Sequence, residues 1–250
     1  MQNIALSNKE KVATLLTSFG SGIKTPLTYI HPTRYKQHNP LIADGLQGLK
    51  LYLKDIPRHI IVRVLRLMED GPFVFAHMEY HFPVPMAGFH IFRFEDGLIV
   101  EHWDNNQPLL PLVSGRSSIT SGTVVISDRN KTDGNKALVT TFMEELLSAG
   151  NMEKLADYFH QHGCTDHSAI NPGKAGCQTK WEKQGIRYEK VHRILGEGNF
   201  VLVVSEGQLK GRAVAFYDLF RIDNDKIVEH WDIIEEIIAK ENFKNTNGKF

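Results

Sequence analysis

"IVEHWD" spans Ile99–Asp104 and returns, letter for letter, at Ile227–Asp232. The two occurrences stand 128 residues apart, and their surroundings align without a gap: "FHIFRFEDGLIVEHWD", Phe89–Asp104, lies over "YDLFRIDNDKIVEHWD", Tyr217–Asp232. Upstream, Phe73, Val74 and Glu79 match Phe200, Val201 and Glu206 at an offset of 127, while Tyr29 and His38 match Tyr158 and His167 at 129. Such slippage is what short loop insertions produce. Self-similarity at a fixed long period marks a duplicated folding unit, and 250 residues leave room for two domains of about 125 each.

Between the copies, "PLLPLVSGRSSITSGT", Pro108–Thr123, mixes proline, glycine and serine without periodicity, as a connector does. The expected division is therefore a first unit over 1–112, a linker over 113–132 and a second unit over 133–245. The polar end "KENFKNTNGKF" offers little to bury and is expected to fray.

Each copy opens with a helical pattern: Val12, Leu15, Leu16 and Phe19 in the first, Leu138, Phe142, Met143, Leu146 and Leu147 in the second. Gly20 and Gly150 stand where C-caps are expected, and Asp133 or Asn135 where the second helix begins. A further short helix is expected over Met152–Phe159. Strand-like runs follow: "FVFAHMEYHF" from Phe73, "FHIFRF" from Phe89 and "LIVEHW" from Leu98, the last two joined by "EDG" as a hairpin. Helices first and antiparallel strands after predict an α+β fold, a sheet with helices on one face.

The turn decides which letters of the repeat share a face. A three-residue "EDG" loop with Gly97 left-handed sets His90 opposite His102 and places His90, Phe92, Val100, His102 and Asp104 together. A two-residue loop sets His90 opposite Trp103 and moves every partner across the sheet. Under the first register the second copy gathers Asp218, Phe220, Val228, His230 and Asp232. Carboxylates and imidazoles among apolar neighbours are candidates for acid and base work near neutral pH.

Composition narrows the function classes. Acidic and basic residues balance at 29 each, so there is no one-sided field to attract nucleic acid or anionic lipid. No apolar run approaches the roughly 20 residues of a membrane span, and the start, "MQNIALSNKEKV", has no secretory pattern. The two cysteines, Cys164 and Cys177, lack Cys-x-x-Cys spacing and read as free thiols in a reducing, cytoplasmic setting. No phosphate-binding glycine loop, nucleophile elbow or zinc-protease motif occurs, so no cofactor is expected. His77, Glu79 and His81 alternate onto one strand face and with His90 imitate a metal site. The second copy has Val204, Glu206 and Gln208 there, and no metal is expected.

Tandem units ending in "IVEHWD", preceded by a tyrosine and by the "QHNP" segment Gln37–Pro40, resemble the SnoaL-like branch of the nuclear transport factor 2 superfamily. The resemblance covers both copies. It implies two tandem cones, each a strongly curved, mostly antiparallel sheet wrapped against helices around an apolar pocket. It also implies an intramolecular pseudo-dimer of the copies, with pairing into a homodimer as a further option. In SnoaL-type polyketide cyclases an Asp acts as acid and base with a His fourteen residues earlier, a spacing that His90 and Asp104 reproduce. In the second copy Asp218 and Asp232 hold these places, and there the nearer comparison is ketosteroid isomerase, with its oxyanion-binding Asp. The isomerase's proton-abstracting Asp has no counterpart in either copy. The fold also hosts isomerases, hydrolases, dehydratases and proteins without catalysis.

The expected catalytic residues are thus His90, Asp104, Asp218 and Asp232, with Tyr35, His38, Phe92, His102, His167, Phe220 and His230 lining pockets. The expected partner is a small apolar or carbonyl-containing molecule. Asp104 would move a proton next to the carbonyl while His90 hydrogen-bonds or reprotonates the oxygen. The rival reading is a noncatalytic module that sequesters an apolar metabolite or displays its sheets to a protein. Hydrolytic opening of an epoxide requires an Asp, Arg, Asp arrangement that these strands do not supply.

Overall fold

The computed structural model describes residues 5–23, 25–57, 59–109, 118–147, 155–160, 163–167, 177 and 185–250. The chain is α+β and forms two compact units. One comprises Met1–Pro108 together with Ile238–Phe250, the other Leu109–Ile237.

In the first unit the order is α1 (Asn8–Ser21), β1 (Lys36–Gln37), α2 (Gly45–Tyr52), β2 (Val62–Asp70), β3 (Phe73–His81), β4 (Pro85–Glu95) and β5 (Leu98–Pro108). The sheet order is β1-β5-β4-β3-β2, antiparallel except for β1, which adds parallel to β5. The second unit repeats the plan with α3 (Thr132–Leu147), β6 (Thr165–Asp166), β7 (Ile186–Glu197), β8 (Phe200–Leu209), β9 (Arg212–Asp223) and β10 (Lys226–Glu236), in sheet order β6-β10-β9-β8-β7. Identical topology in both halves is the structural form of the repeat.

Ser7 and Glu10 form a capping box at the start of α1, satisfying donors the first turn leaves open. The helix runs past Gly20 and ends with Gly22 in the left-handed conformation. Val12, Leu15 and Leu16 bury against Val74, Ala76, Met78, Phe92 and Phe94 of the sheet. Val139, Phe142 and Met143 of α3 do the same against Val201, Val203, Phe216 and Phe220. Neither Asp133 nor Asn135 caps α3, which begins at Thr132; Asn135 instead donates to the Gly198 carbonyl. The expected cap Gly150 lies outside the described residues. Of the helix expected over Met152–Phe159, the described part is a short 3-10 turn, Ala156–Tyr158.

The hairpin combines features of both expected registers. Its turn has two residues, Asp96 and Gly97, both at positive φ, with Glu95 opposite Leu98. A bulge between the Phe94–Ile99 and Arg93–Glu101 pairs then adds one residue to β5. The net register sets His90 opposite Asp104 and Phe92 opposite His102. His90 therefore faces Asp104, not His102, yet the parity survives and the expected set stays on one face. The exception is Val100: at the bulge Ile99 enters the core cluster in its stead. The second copy bulges in the same place, with Asp218 opposite Asp232.

Two expectations are corrected. Cys164 and Cys177 are joined in a disulfide, their Cα atoms 5.7 Å apart, and both are buried in the second core. Spacing along the chain says nothing about that proximity, and the reading of a reducing compartment loses its support from free thiols. The tail does not fray either. Asn245 donates to the carbonyls of Asn39 (2.7 Å) and Ile42 (2.9 Å), the Lys244 N–H donates to Pro40, and Lys249 Nζ reaches the Asp104 carbonyl at 2.9 Å. Polar side chains order this segment by satisfying buried carbonyls, a signal hydropathy does not carry.

Candidate functional site in the first unit

Strand alternation splits the repeated motif into two jobs. Glu101 and Trp103 face one way. His38 stacks on Trp103 at 4.6 Å, contacts Glu101 through Nε2 at 2.9 Å and donates from Nδ1 to the Gly248 carbonyl at 3.0 Å; Arg93 Nε closes the group on Glu101 at 2.7 Å. The second unit copies this: His167 stacks on Trp231 and contacts Glu229, which Arg221 also pairs, while Ser121 meets His167 and accepts from Trp231 Nε1. Burial alone would raise Glu101 and Glu229, but the histidine, the arginine and, for Glu229, Thr123 hold each carboxyl down at about 2. His38 and His167, expected at pocket mouths, are thus struts on the far side of the wall.

His102 and Asp104 face the other way, into a cavity of about 80 Å³. One water needs roughly 10–15 Å³, so the space is several times that. Its walls are apolar and aromatic, including Phe19, Tyr52, Tyr80 and Phe92. One end is polar, formed by Asn39, His90, His102, Asp104 and Asn106, with Tyr35 also in the lining. The expected residues Tyr35, His90, Phe92, His102 and Asp104 therefore converge.

The "QHNP" segment supplies what the sequence reading did not assign. Because β1 lies parallel to β5 with Gln37 beside His102, Gln37 turns inward and His38 outward. Gln37 Oε1 contacts His102 Nδ1 at 3.1 Å, and Asn39 Nδ2 reaches both carboxylate oxygens of Asp104 at 3.0 and 2.9 Å. His90 Nδ1 and His102 Nε2 are 3.1 Å apart.

Burial drives both imidazoles toward the neutral form, His102 down to about 3 and His90 below its ordinary value, against the opposing pull of Asp104. Burial would raise Asp104, but His102, His90, Lys249 and the Asn39 carboxamide together hold its carboxyl low. Burial and the charges of Asp104 and Asp44 keep the Tyr35 phenol protonated. The site at neutral pH is one carboxylate, two neutral imidazoles and a phenol.

The depressed His102 pKa makes stability pH-dependent. Above about pH 6.5 the group is neutral folded or unfolded and contributes no slope. Below it only the unfolded chain takes up the proton, so stability falls until about pH 3. Between pH 6.5 and about 4.5 the expected loss is on the order of 2–3 kcal/mol. Urea titrations across that window should record it, and His102→Gln should flatten the slope.

His77, Glu79 and His81 do not assemble with His90. His77 lies opposite Phe89 while His90 lies opposite Ala76, which puts the two histidines on different faces; Glu79 pairs with Arg63. Among the described residues the ligand-type group that forms is His90, His102 and Asp104, with one donor atom from each within 4.8 Å of the others. Those are the residues that would hold a divalent ion.

In the second unit Asp218 accepts from Tyr188 at 3.0 Å and meets His230 Nε2 at 2.9 Å, while His230 Nδ1 meets Asp166 at 3.0 Å. Asp166, Asp218, Phe220 and His230 are fully buried and Asp232 almost so. Asp218 and His230 thus belong to an internal hydrogen-bonded network, and Phe220 to the core cluster.

No family model and no curated protein matches the sequence. Solved structures do match. Its structural neighbours are NTF2-like and polyketide cyclase-like. TsrD from Streptomyces laurentii is 20% identical, with 41% of this chain and 92% of that one covered and a TM-score of 0.36. An NTF2-like protein of unknown function from Cytophaga hutchinsonii is 18% identical over 46% and 95% of the two chains, TM-score 0.36. A putative polyketide cyclase from Bacillus cereus is 19% identical over 41% and 79%, TM-score 0.35. Each match spans less than half of this chain and most of its own.

Proposed function

We propose that the first unit binds a small, largely apolar carbonyl compound and moves a proton next to its carbonyl, with His90 and Asp104 as the proton-handling pair. One observation carries this reading: imidazole and carboxylate stand directly opposite each other at the polar end of an otherwise apolar cavity. Buried groups of opposed protonation preference in a cleft are the usual material of acid–base sites. Tyr35, a buried phenol in the same lining, supplies a donor for the substrate oxygen. The second unit, whose matching carboxylate is engaged by His230 and Tyr188, serves as scaffold.

Exchange of α-protons for deuterium, followed by NMR over a panel of small ketones and β-dicarbonyls, tests this. The wild type is expected to accelerate exchange for at least one member. Asp104→Asn, with circular dichroism unchanged, is expected to slow it at least about a hundredfold. Unchanged exchange in that variant would remove the mechanism. A noncatalytic binding protein would lose stability in the variant and show no exchange to lose.

A further inference from the structure

The polar end of the first unit's cavity gathers side chains of the kinds that hold first-row metal ions. His90 comes from β4, His102 and Asp104 from β5, and one donor atom from each lies within 4.8 Å of the others. The two imidazoles face each other, with His90 Nδ1 and His102 Nε2 3.1 Å apart. Two nitrogens bound to one zinc ion, each at about 2.0–2.1 Å, stand roughly 3.0–3.4 Å from one another, so the rings already keep the spacing of a shared ion. Each ligand is also braced from behind by an amide. Gln37 Oε1, marked as the carbonyl end by the Asn39 backbone N–H that donates to it, holds His102 Nδ1 at 3.1 Å. The Asn106 side chain hydrogen-bonds His90, and Asn39 Nδ2 donates to the Asp104 carboxylate at 3.0 and 2.9 Å. Such partners are the outer shell that orients histidines and carboxylates around a metal.

We infer that His90, His102 and Asp104 form a site for one divalent first-row transition-metal ion, represented by Zn²⁺, bound through His90 Nδ1, His102 Nε2 and a carboxylate oxygen of Asp104. Two imidazoles and one carboxylate favour zinc over magnesium or calcium, which take oxygen ligands. All three residues line the cavity, so the ion's remaining position opens onto the hollow, as in metal sites that bind a further ligand. That ligand is a small molecule with a carbonyl or hydroxyl oxygen and an apolar body, the combination the walls accept. Lys249 is the opposing charge: its Nζ donates to the Asp104 carbonyl at 2.9 Å, close enough to weaken the hold on a cation. The site goes beyond the proposed proton transfer and does not rest on it. An ion here engages the electron pairs of His90 and Asp104 that the transfer uses, so the metal-loaded and proton-moving forms exclude each other.

Calorimetric titration of the full chain with Zn²⁺ at pH 7.5 tests the site. One ion per chain is expected, with Mg²⁺ at least about a hundredfold weaker. Gln37→Leu is expected to weaken Zn²⁺ binding about tenfold, the scale of an orienting partner, and His102→Gln or His90→Gln at least about a hundredfold. Lys249→Met is expected to tighten it severalfold. X-ray absorption of the zinc-loaded wild type requires no variant to fold and is expected to show two imidazole nitrogens with oxygen completing the shell. Because the chain has 12 histidines, among them the exposed His59 and His81, binding alone does not identify the site. Zn²⁺ affinity unchanged in His102→Gln overturns the inference, as does a shell of oxygens only, a shell of three or more imidazoles, or equal affinity for Mg²⁺. A failed titration removes the metal site and leaves the proton transfer standing, whereas silent deuterium exchange in the metal-free protein removes the transfer and leaves the site.

Discussion

His230→Leu is expected to destabilise the second unit by about 3–5 kcal/mol, the loss that follows when the shared partner of two buried carboxyl groups is removed. His230 holds Asp166 on one nitrogen and Asp218 on the other, all three fully buried. Leucine removes the hydrogen-bond partner that both buried carboxyl groups share, while Tyr188 still donates to Asp218. The sequence-matched change in the first unit, His102→Leu, is expected to do less, about 1–3 kcal/mol, because its neighbours Gln37 and His90 are uncharged when it is. Amide exchange in β9 and β10 against β4 and β5 reports each unit separately. Equal losses in the two variants would contradict the greater weight given to two carboxyl partners over an amide and an imidazole.

Removing everything after Ile237 is the second large effect. The tail satisfies the carbonyls of Asn39, Ile42 and Asp104 and meets Nδ1 of His38. A simple sum of these bonds overshoots, because ordering the segment consumes much of their gain. A first-unit loss of about 2–4 kcal/mol is expected, since each buried group left without a partner costs about 1–3. Asn245→Ala should reproduce the larger part of it. The truncated chain should also show a higher Asp104 pKa, because Lys249 is one of the groups holding it down. A urea midpoint unchanged in the first unit would show that the tail merely rests on the surface.

How much of this the letters disclosed depends on whether the deciding interaction was local. The pairing of strands and the shared face of His90, Phe92, His102 and Asp104 followed from alternation and one glycine-bearing turn. The bulge in β5 did not, since one extra residue changes the partner of His90 while leaving its face intact. "QHNP" was visible as a segment, but its four roles depend on β1 adding parallel to β5, a contact across more than 60 residues. The same contact explains a pair of differences between the copies. Where the first has Gln37 and His90 around His102, the second has Asp166 and Asp218 around His230. A chain with an amide and an imidazole around its central histidine became one with a carboxyl group on either side by changing both ends. Each change alone reads as drift; only the fold reveals them as partners. The disulfide and the ordered tail were hidden for the same reason.

The segment that follows β10 carries a consequence for biosynthesis. Because Ile238–Phe250 belongs with Met1–Pro108, the second unit is an insertion within the first. A ribosome emits the strands of the first unit early, yet the piece that secures Asn39 and Asp104 emerges only after the whole second half. The unit made first therefore completes its contacts only after the other has been synthesised, and the cavity bordered by Asp104 waits on chain translated beyond β10.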